Sequence, residues 1–241
     1  MYALSQFSLS DMTRFGIELR RLGADAVSME EVANRIVTAV HQKLVIAPSN
    51  ERACALVRTF VTLPYAQLPA EQQAFSATLF PDIASQPGVK CLTLLATAGE
   101  EAEWNQRTLS RGHQALPLPS EESLVRSPMI SQLIHQLDVP VSSLLNADSS
   151  MLLDSHQRTF NVFHVANALG SPFIPAQQQF VVPYGIRSVI GFGGLLPPGE
   201  LFATILFTKT PVSRDVAELF RTLALNVKVA LLPFAGTKVF A

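Results

Sequence analysis

Apolar positions along the chain follow two rhythms. Near the start, Met12, Phe15, Leu19 and Leu22 recur at steps of three, four and three, the stripe of one helix face. Ser10 or Asp11 supplies the N-cap of this helix, and Gly23 stops it. A second helix opens at Ser28 with Glu31 three residues on, which is the capping-box pattern. It presents Val32, Ile36, Val37 and Val40 and runs to about Val45, before Pro48. Ala53 to Leu63 is mostly apolar and contains β-branched residues, so it predicts a strand, closed by Pro64.

Pro69 to Leu79 predicts a short helix, Pro81 to Gly88 a turn-rich link, and Val89 to Thr97 a second strand ending at Ala98-Gly99. The polar run from Glu100 to Arg107 reads as a helical turn, and Leu116 to Pro119 as extended chain. Ser127-Pro128 is an N-cap followed by proline at the first helical position. Met129, Ile130, Leu133, Ile134 and Leu137 form the face of that helix, which ends at Asp138 before Pro140. Phe160 to Ala166 is a third strand, and Pro175 to Val182 a helical turn. Ile186 to Leu195 and Leu201 to Thr208 make a hairpin across Pro197-Pro198-Gly199-Glu200. These strands are apolar nearly throughout, so both faces of their sheet should be covered. After Pro211 a last helix, capped by Ser213, repeats Val216, Phe220, Leu223, Val227 and Ala230 at four, three, four and three, an a/d seam of about two heptads.

The resulting order places helices from the two chain ends around a central antiparallel sheet, an α+β arrangement. The segment from Pro183 to Phe192 (Pro-Tyr-Gly-Ile-Arg-Ser-Val-Ile-Gly-Phe), the turn and strand from Leu196 to Leu206, the helix from Arg214 to Leu232, and the capped helix at Ser28 together resemble a GAF-like, PAS-related sensory domain. The resemblance covers about residues 28–62 and 158–232. Such domains stand beside bacterial histidine kinases and diguanylate cyclases. The resemblance implies a ligand pocket on one sheet face, packing of the N- and C-terminal helices together, and a homodimer through them. On that basis the dimer residues are Phe15, Leu19, Val216, Phe220, Leu223 and Val227. The expected domain spans 27–235, with a helical extension at 1–26 and a tail at 236–241.

Composition narrows the function classes. Of the 241 residues, 48% are hydrophobic and only 15% charged, against about a quarter charged in typical soluble domains, so burial is extensive. A net charge of −1 without a basic stripe argues against nucleic acid as a partner. No apolar run approaches the ~20 residues of a membrane span, and no basic-then-apolar leader opens the chain, so a cytoplasmic location is expected. Cys54 and Cys91 sit in apolar runs and match no metal spacing, so they read as small buried hydrophobes.

Candidate chemistry is sparse. No Gly-x-Ser-x-Gly elbow is present. Gly191, Gly193 and Gly194 lie inside an apolar strand without a following helix, which fits close packing or a strand bend better than phosphate binding. None of His41, His113, His135, His156 and His164 pairs with another at helical spacing. His164, flanked by Phe163 and Val165, shares a strand face with Val162 and Ala166, where it could meet a ligand or a haem iron or simply be hydrogen-bonded in place. Trp104, Arg107, Ser110 and His113 fall at steps of three, so one face could offer an aromatic wall and a cation to an anionic or planar ligand, or Trp104 could cover the core edge. Bilin-binding GAF domains use a mid-chain Cys, GAF-type methionine sulfoxide reductases several cysteines, and cyclic-nucleotide GAF domains an Asn-Lys-x-Asp motif. This chain has none of these patterns, so the resemblance leaves ligand and cofactor open.

The expected function is a non-catalytic sensor that binds a small molecule and signals through its terminal helices to an output domain or protein. The expected pocket residues are Arg58, Trp104, Arg107, His113, Phe163 and His164. The alternatives are an interaction module with a vestigial pocket, and an enzyme using His113 or His164 as acid or base.

Overall fold

The computed structural model describes residues 1–125, 127–138, 141, 145, 161–197 and 199–241. His156, Phe160, Pro140 and Pro198 lie outside the described residues. The helices are α1 (Leu9–Arg21), α2 (Met29–Lys43), α3 (Ala70–Leu79), α4 (Glu121–Val125), α5 (Pro128–Gln136) and α6 (Arg214–Leu231). The strands are β1 (Tyr2–Ala3), β2 (Leu44–Ile46), β3 (Glu51–Arg52), β4 (Cys54–Pro64), β5 (Lys90–Gly99), β6 (Ala115–Pro117), β7 (Val162–Val165), β8 (Ser188–Leu196) and β9 (Glu200–Thr208).

Six strands form one antiparallel sheet in the order β6-β5-β4-β9-β8-β7, and β1, β2 and β3 form a small second sheet. The expected α+β class, with a central antiparallel sheet between helices, is what the chain adopts. The terminal helices α1 and α6 pack on each other, α2 packs on β4 and β5, and α6 packs on β7 and β8. Among the described residues no helix is long and apolar enough to cross a membrane.

Local signals explain most element ends. Helix α1 starts two or three residues earlier than expected. Ser8 caps it in a full capping box with Asp11, so Asp11 serves at the third helical position instead of as the cap. At α2 the Ser28 hydroxyl accepts from the Glu31 N–H at 3.1 Å, but the Glu31 carboxylate reaches one residue further back, to the Val27 N–H at 2.9 Å. Helix α2 stops at Lys43 and not at Val45, because Leu44 to Ile46 are taken into β2 between β1 and β3.

The six residues assigned to a dimer seam are all buried within the single chain. Phe15, Leu19, Val216, Phe220, Leu223 and Val227 belong to one core cluster with α2 and the sheet. Their stripes face each other intramolecularly, which corrects their expected availability to a second subunit. The segment 1–26 contributes Leu4, Phe7 and Met12 to the same cluster. The tail is tied back as well, the carbonyls of Lys238 and Val239 accepting from the N–H groups of Met29 and Glu30 at 2.9 and 2.8 Å.

A second cluster fills the opposite sheet face, built on Leu56, Phe60, Leu94, Ile205 and Phe207 from the strands and Ile130, Leu133 and Ile134 from α5. Gly193 has the packing role that its setting suggested. A Cβ there would lie 2.1 Å from the Phe202 carbonyl oxygen on the neighbouring strand. Both cysteines are free and buried, and burial pushes their thiols up to about 12 for Cys54 and about 11 for Cys91, as fits inert small hydrophobes.

Candidate functional site: a cavity on the sheet face opposite the terminal helices

Strand β4 crosses the middle of the sheet, and alternation sends Leu56, Arg58 and Phe60 to the face away from α1, α2 and α6. These three residues, with Ile205 and Phe207 of β9, form the floor of a cavity of about 420 Å³. Met129, Ile130 and Leu133 of α5 form one wall, and Ile174 to Ala176 with Phe180 another. Trp104 stands 5.7 Å from Phe180 between ring centroids, and Phe180 stands 4.9 Å from Phe207, so one side is an aromatic shelf.

Arg58 is the charged group on the floor. Its Nη2 donates to the Ser110 hydroxyl at 3.0 Å and its Nη1 to the Gly112 carbonyl at 3.4 Å. Ser110 Oγ in turn donates to the same Gly112 oxygen at 3.0 Å. The Arg58 Nε is shut off from solvent and has no partner among the described residues, and no carboxylate there pairs with the guanidinium. Burial pushes its pKa down to about 10.

Directly across the ladder, Thr97 of β5 pairs with Arg58, and its buried hydroxyl also lacks a partner. A β-bulge opposite the Thr59/Phe60 step explains how Thr97 arrives on this face. The extra residue in β5 sends both Leu95 and Ala96 to the helical side, so the alternation resumes with Thr97 on the cavity side. His113 adopts a left-handed φ of 57° at the cavity, where burial and the Arg58 charge lower its pKa.

Three of the six expected pocket residues therefore line the cavity: Arg58, Trp104 and His113. The other three do not. Arg107 turns away to join Glu30 at 2.6 Å and Glu71 at 2.8 Å, and its guanidinium lies 5.0 Å from the Phe240 ring centre. The expected common face of Trp104, Arg107, Ser110 and His113 fails because the chain forms two separate 3₁₀ turns, Ala102–Asn105 and Arg107–Leu109, with a break at Gln106. Phe163 sits behind the wall, packed at Gly191 and Leu133. His164 points to the other sheet face, its Nε2 3.0 Å from the Val212 carbonyl oxygen, the hydrogen-bonded alternative for a buried histidine.

Sequence reading missed Leu56, Phe60, Phe180 and Phe207 of the lining, and Thr97 beside Arg58. Period-two alternation around Arg58 carries a signal for the first two. Thr97 has none, because the bulge that turns it is set by pairing between strands.

Neither a protein-family model nor a curated protein matches the chain. Several solved structures are similar to it. One is the GAF domain from an Acinetobacter phosphoenolpyruvate-protein phosphotransferase, 12% identical with a TM-score of 0.41 over 93% of this chain and 94% of that one. Another is the GAF domain from a phosphoenolpyruvate-protein phosphotransferase of Coxiella burnetii, at 10%, 0.42, 93% and 93%. A third is the phycocyanobilin-bound GAF domain from a cyanobacterial phytochrome, at 8%, 0.43, 92% and 94%.

Proposed function

We propose that the chain is a non-catalytic sensor domain that holds a small, largely apolar molecule in this cavity and reports occupancy through its terminal helices. The observation that carries the reading is the cavity itself. Its roughly 420 Å³ fall in the usual range for small-molecule sites, and its walls are apolar with a few polar groups at one end.

A physical link to the terminal helices supports the second half. Helix α5 walls the cavity, and its last residue, Gln136, accepts from the His164 backbone N–H at 2.8 Å. The His164 ring meets the Val212 carbonyl, one residue before Ser213 caps α6. A ligand that favours one position of α5 would bias this chain of contacts, which is the differential affinity that a switch requires. A homodimer on the terminal helices would use the outward strip of Leu225, Val229 and Leu232, since the inner seam is already filled.

The test is native mass spectrometry of the purified chain, with thermal shifts against a library of small apolar molecules. Wild type should carry or accept a ligand. Met129→Trp, a half-buried wall position, should fill the space and abolish binding while circular dichroism stays unchanged. Equal binding by this variant, or no binding by wild type, removes the reading. Sedimentation equilibrium of the same samples tests the dimer, and a monomer at every concentration rules it out.

A further inference from the structure

The polar end of the cavity has the geometry of a specific receptor. We propose that it is a carboxylate site, and that the ligand is a compact aromatic monocarboxylate whose head meets the guanidinium of Arg58, the cation on the cavity floor. This rests on the cavity being a ligand pocket.

The guanidinium is planar and offers two forked edges to an acceptor pair. Ser110 Oγ and the Gly112 carbonyl oxygen stand 3.0 Å apart and take donors from Nη2 and Nη1, so the end edge is filled. What is left is the side edge, Nε with the second hydrogen of Nη2; Nε is covered and has no partner among the described residues, so a carboxylate gains this edge by a turn of the side chain toward the cavity it lines. Two parallel N–H donors match the two oxygens of a carboxylate. A buried cation with no carboxylate partner among the described residues costs stability, and an anion would satisfy it.

The charge count selects a monoanion. Arg111, at the same end, is exposed and already paired with Glu103 at 2.7 Å. His113 is held toward its neutral form by burial and by the neighbouring Arg58. A phosphate dianion would therefore bring a second charge that no buried cation among the described residues meets. The body of the ligand would lie along Trp104, Phe180 and Phe207, whose rings favour an aromatic plane.

The experiment is isothermal titration of the full chain with 2-naphthoate, its neutral isostere 2-naphthamide, and 2-naphthyl phosphate. Wild type should bind the acid at least about tenfold tighter than the amide, with the phosphate weaker than the acid. Arg58→Met should erase the preference for acid over amide. Arg58→Met should also melt no lower than wild type, because it removes an unpaired buried charge while keeping the chain volume. A purely structural Arg58 would instead lower the melting temperature.

Equal binding of acid and amide, tighter binding of the phosphate, or an acid preference that survives Arg58→Met overturns the carboxylate site. If acid and amide bind equally and Met129→Trp blocks both, the pocket reading stands without it. If no probe binds wild type, both readings fall together.

Discussion

The two faces of the six-stranded sheet are built differently. On the helical face, α1, α2 and α6 cover the strands with 13, 15 and 18 residues of regular helix. Phe15, Phe192, Phe202 and Phe220 are fully buried there, and the rings of Phe7, Phe220 and Phe192 follow one another at 5.5 and 5.7 Å. On the cavity face the cover includes α5, nine residues long, two 3₁₀ turns and the five-residue π turn Gln177–Val181. Short irregular pieces do not interlock as long helices do, and they leave a cavity with orphaned polar groups at one end. The division places the tightly packed core on one side of the sheet and the cavity on the other. Binding loops and lids are generally drawn from the less stable part of a fold.

The sharpest way to break that division is to remove one aromatic ring from each face. Phe220→Ala should cost about 3–5 kcal/mol, since it opens a void among rings that cannot collapse around it. Phe180→Ala, half-buried at the cavity edge, should cost only about 1–2 kcal/mol, because its ring already borders empty space. Urea unfolding monitored by circular dichroism gives both values. Equal losses would mean that the cavity face is packed as tightly as the other.

A smaller loss is expected where the faces are tied together at their edge. Arg107 holds Glu30 of α2 and Glu71 of α3 and lies against Phe240 of the tail, with 13% of its side chain exposed. Arg107→Met should cost about 1–3 kcal/mol, between an exposed and a fully buried ion pair, because it leaves the half-buried Glu30 carboxylate without a cation and with only the Ala241 N–H, at 3.3 Å, donating to it. Hydrogen exchange should show the loss as faster opening at Met29 and Glu30, whose N–H groups bond the tail. A change confined to the residues around the cavity would mean that Arg107 serves the ligand site after all.

Arg107 also shows where sequence reading ends. The step of three that groups it with Trp104 and His113 is a helical period, and the chain breaks the period at Gln106. The stripes of Phe15 and Leu19 and of Phe220 and Leu223 correctly predict buried helix faces, but a stripe does not say whether its partner is the same chain or a second copy. Arg58 carries a signal in the sequence, a single charge among the apolar residues of its strand. Thr97 carries none, since one bulged residue in β5 reverses which face it occupies. His164 was placed on the correct alternation, yet alternation alone cannot say which sheet face holds the pocket. The hairpin was legible because Gly199, at φ 110°, is the residue that its turn requires.

The mildest expected effect separates the faces by pH. His41 of α2 is buried on the helical side, and its Nε2 has no partner among the described residues. Its pKa is lowered from 6.5, first by burial and then by Arg52 and Lys209, with Glu100 and the Cys54 backbone acting in the opposite direction. A lowered histidine pKa means that the unfolded chain binds the proton more readily. The contribution of His41 is therefore complete above 6.5 and is lost as the pH falls through that value toward the folded one, with a slope of at most about 1.4 kcal/mol per pH unit. His41→Leu should flatten this part of the stability profile in urea unfolding. His113 shifts in the same direction, but its ring is open to the cavity, where water can hydrate the imidazolium, so His113→Gln should change the profile less. The lowered carboxylates of Glu18, Glu31 and Glu71 act only below their ordinary value of 4.5, which keeps the two ranges apart. If His113→Gln flattens the profile as much as His41→Leu does, the cavity face is as dry as the helical one, and the contrast between the faces lies in shape alone.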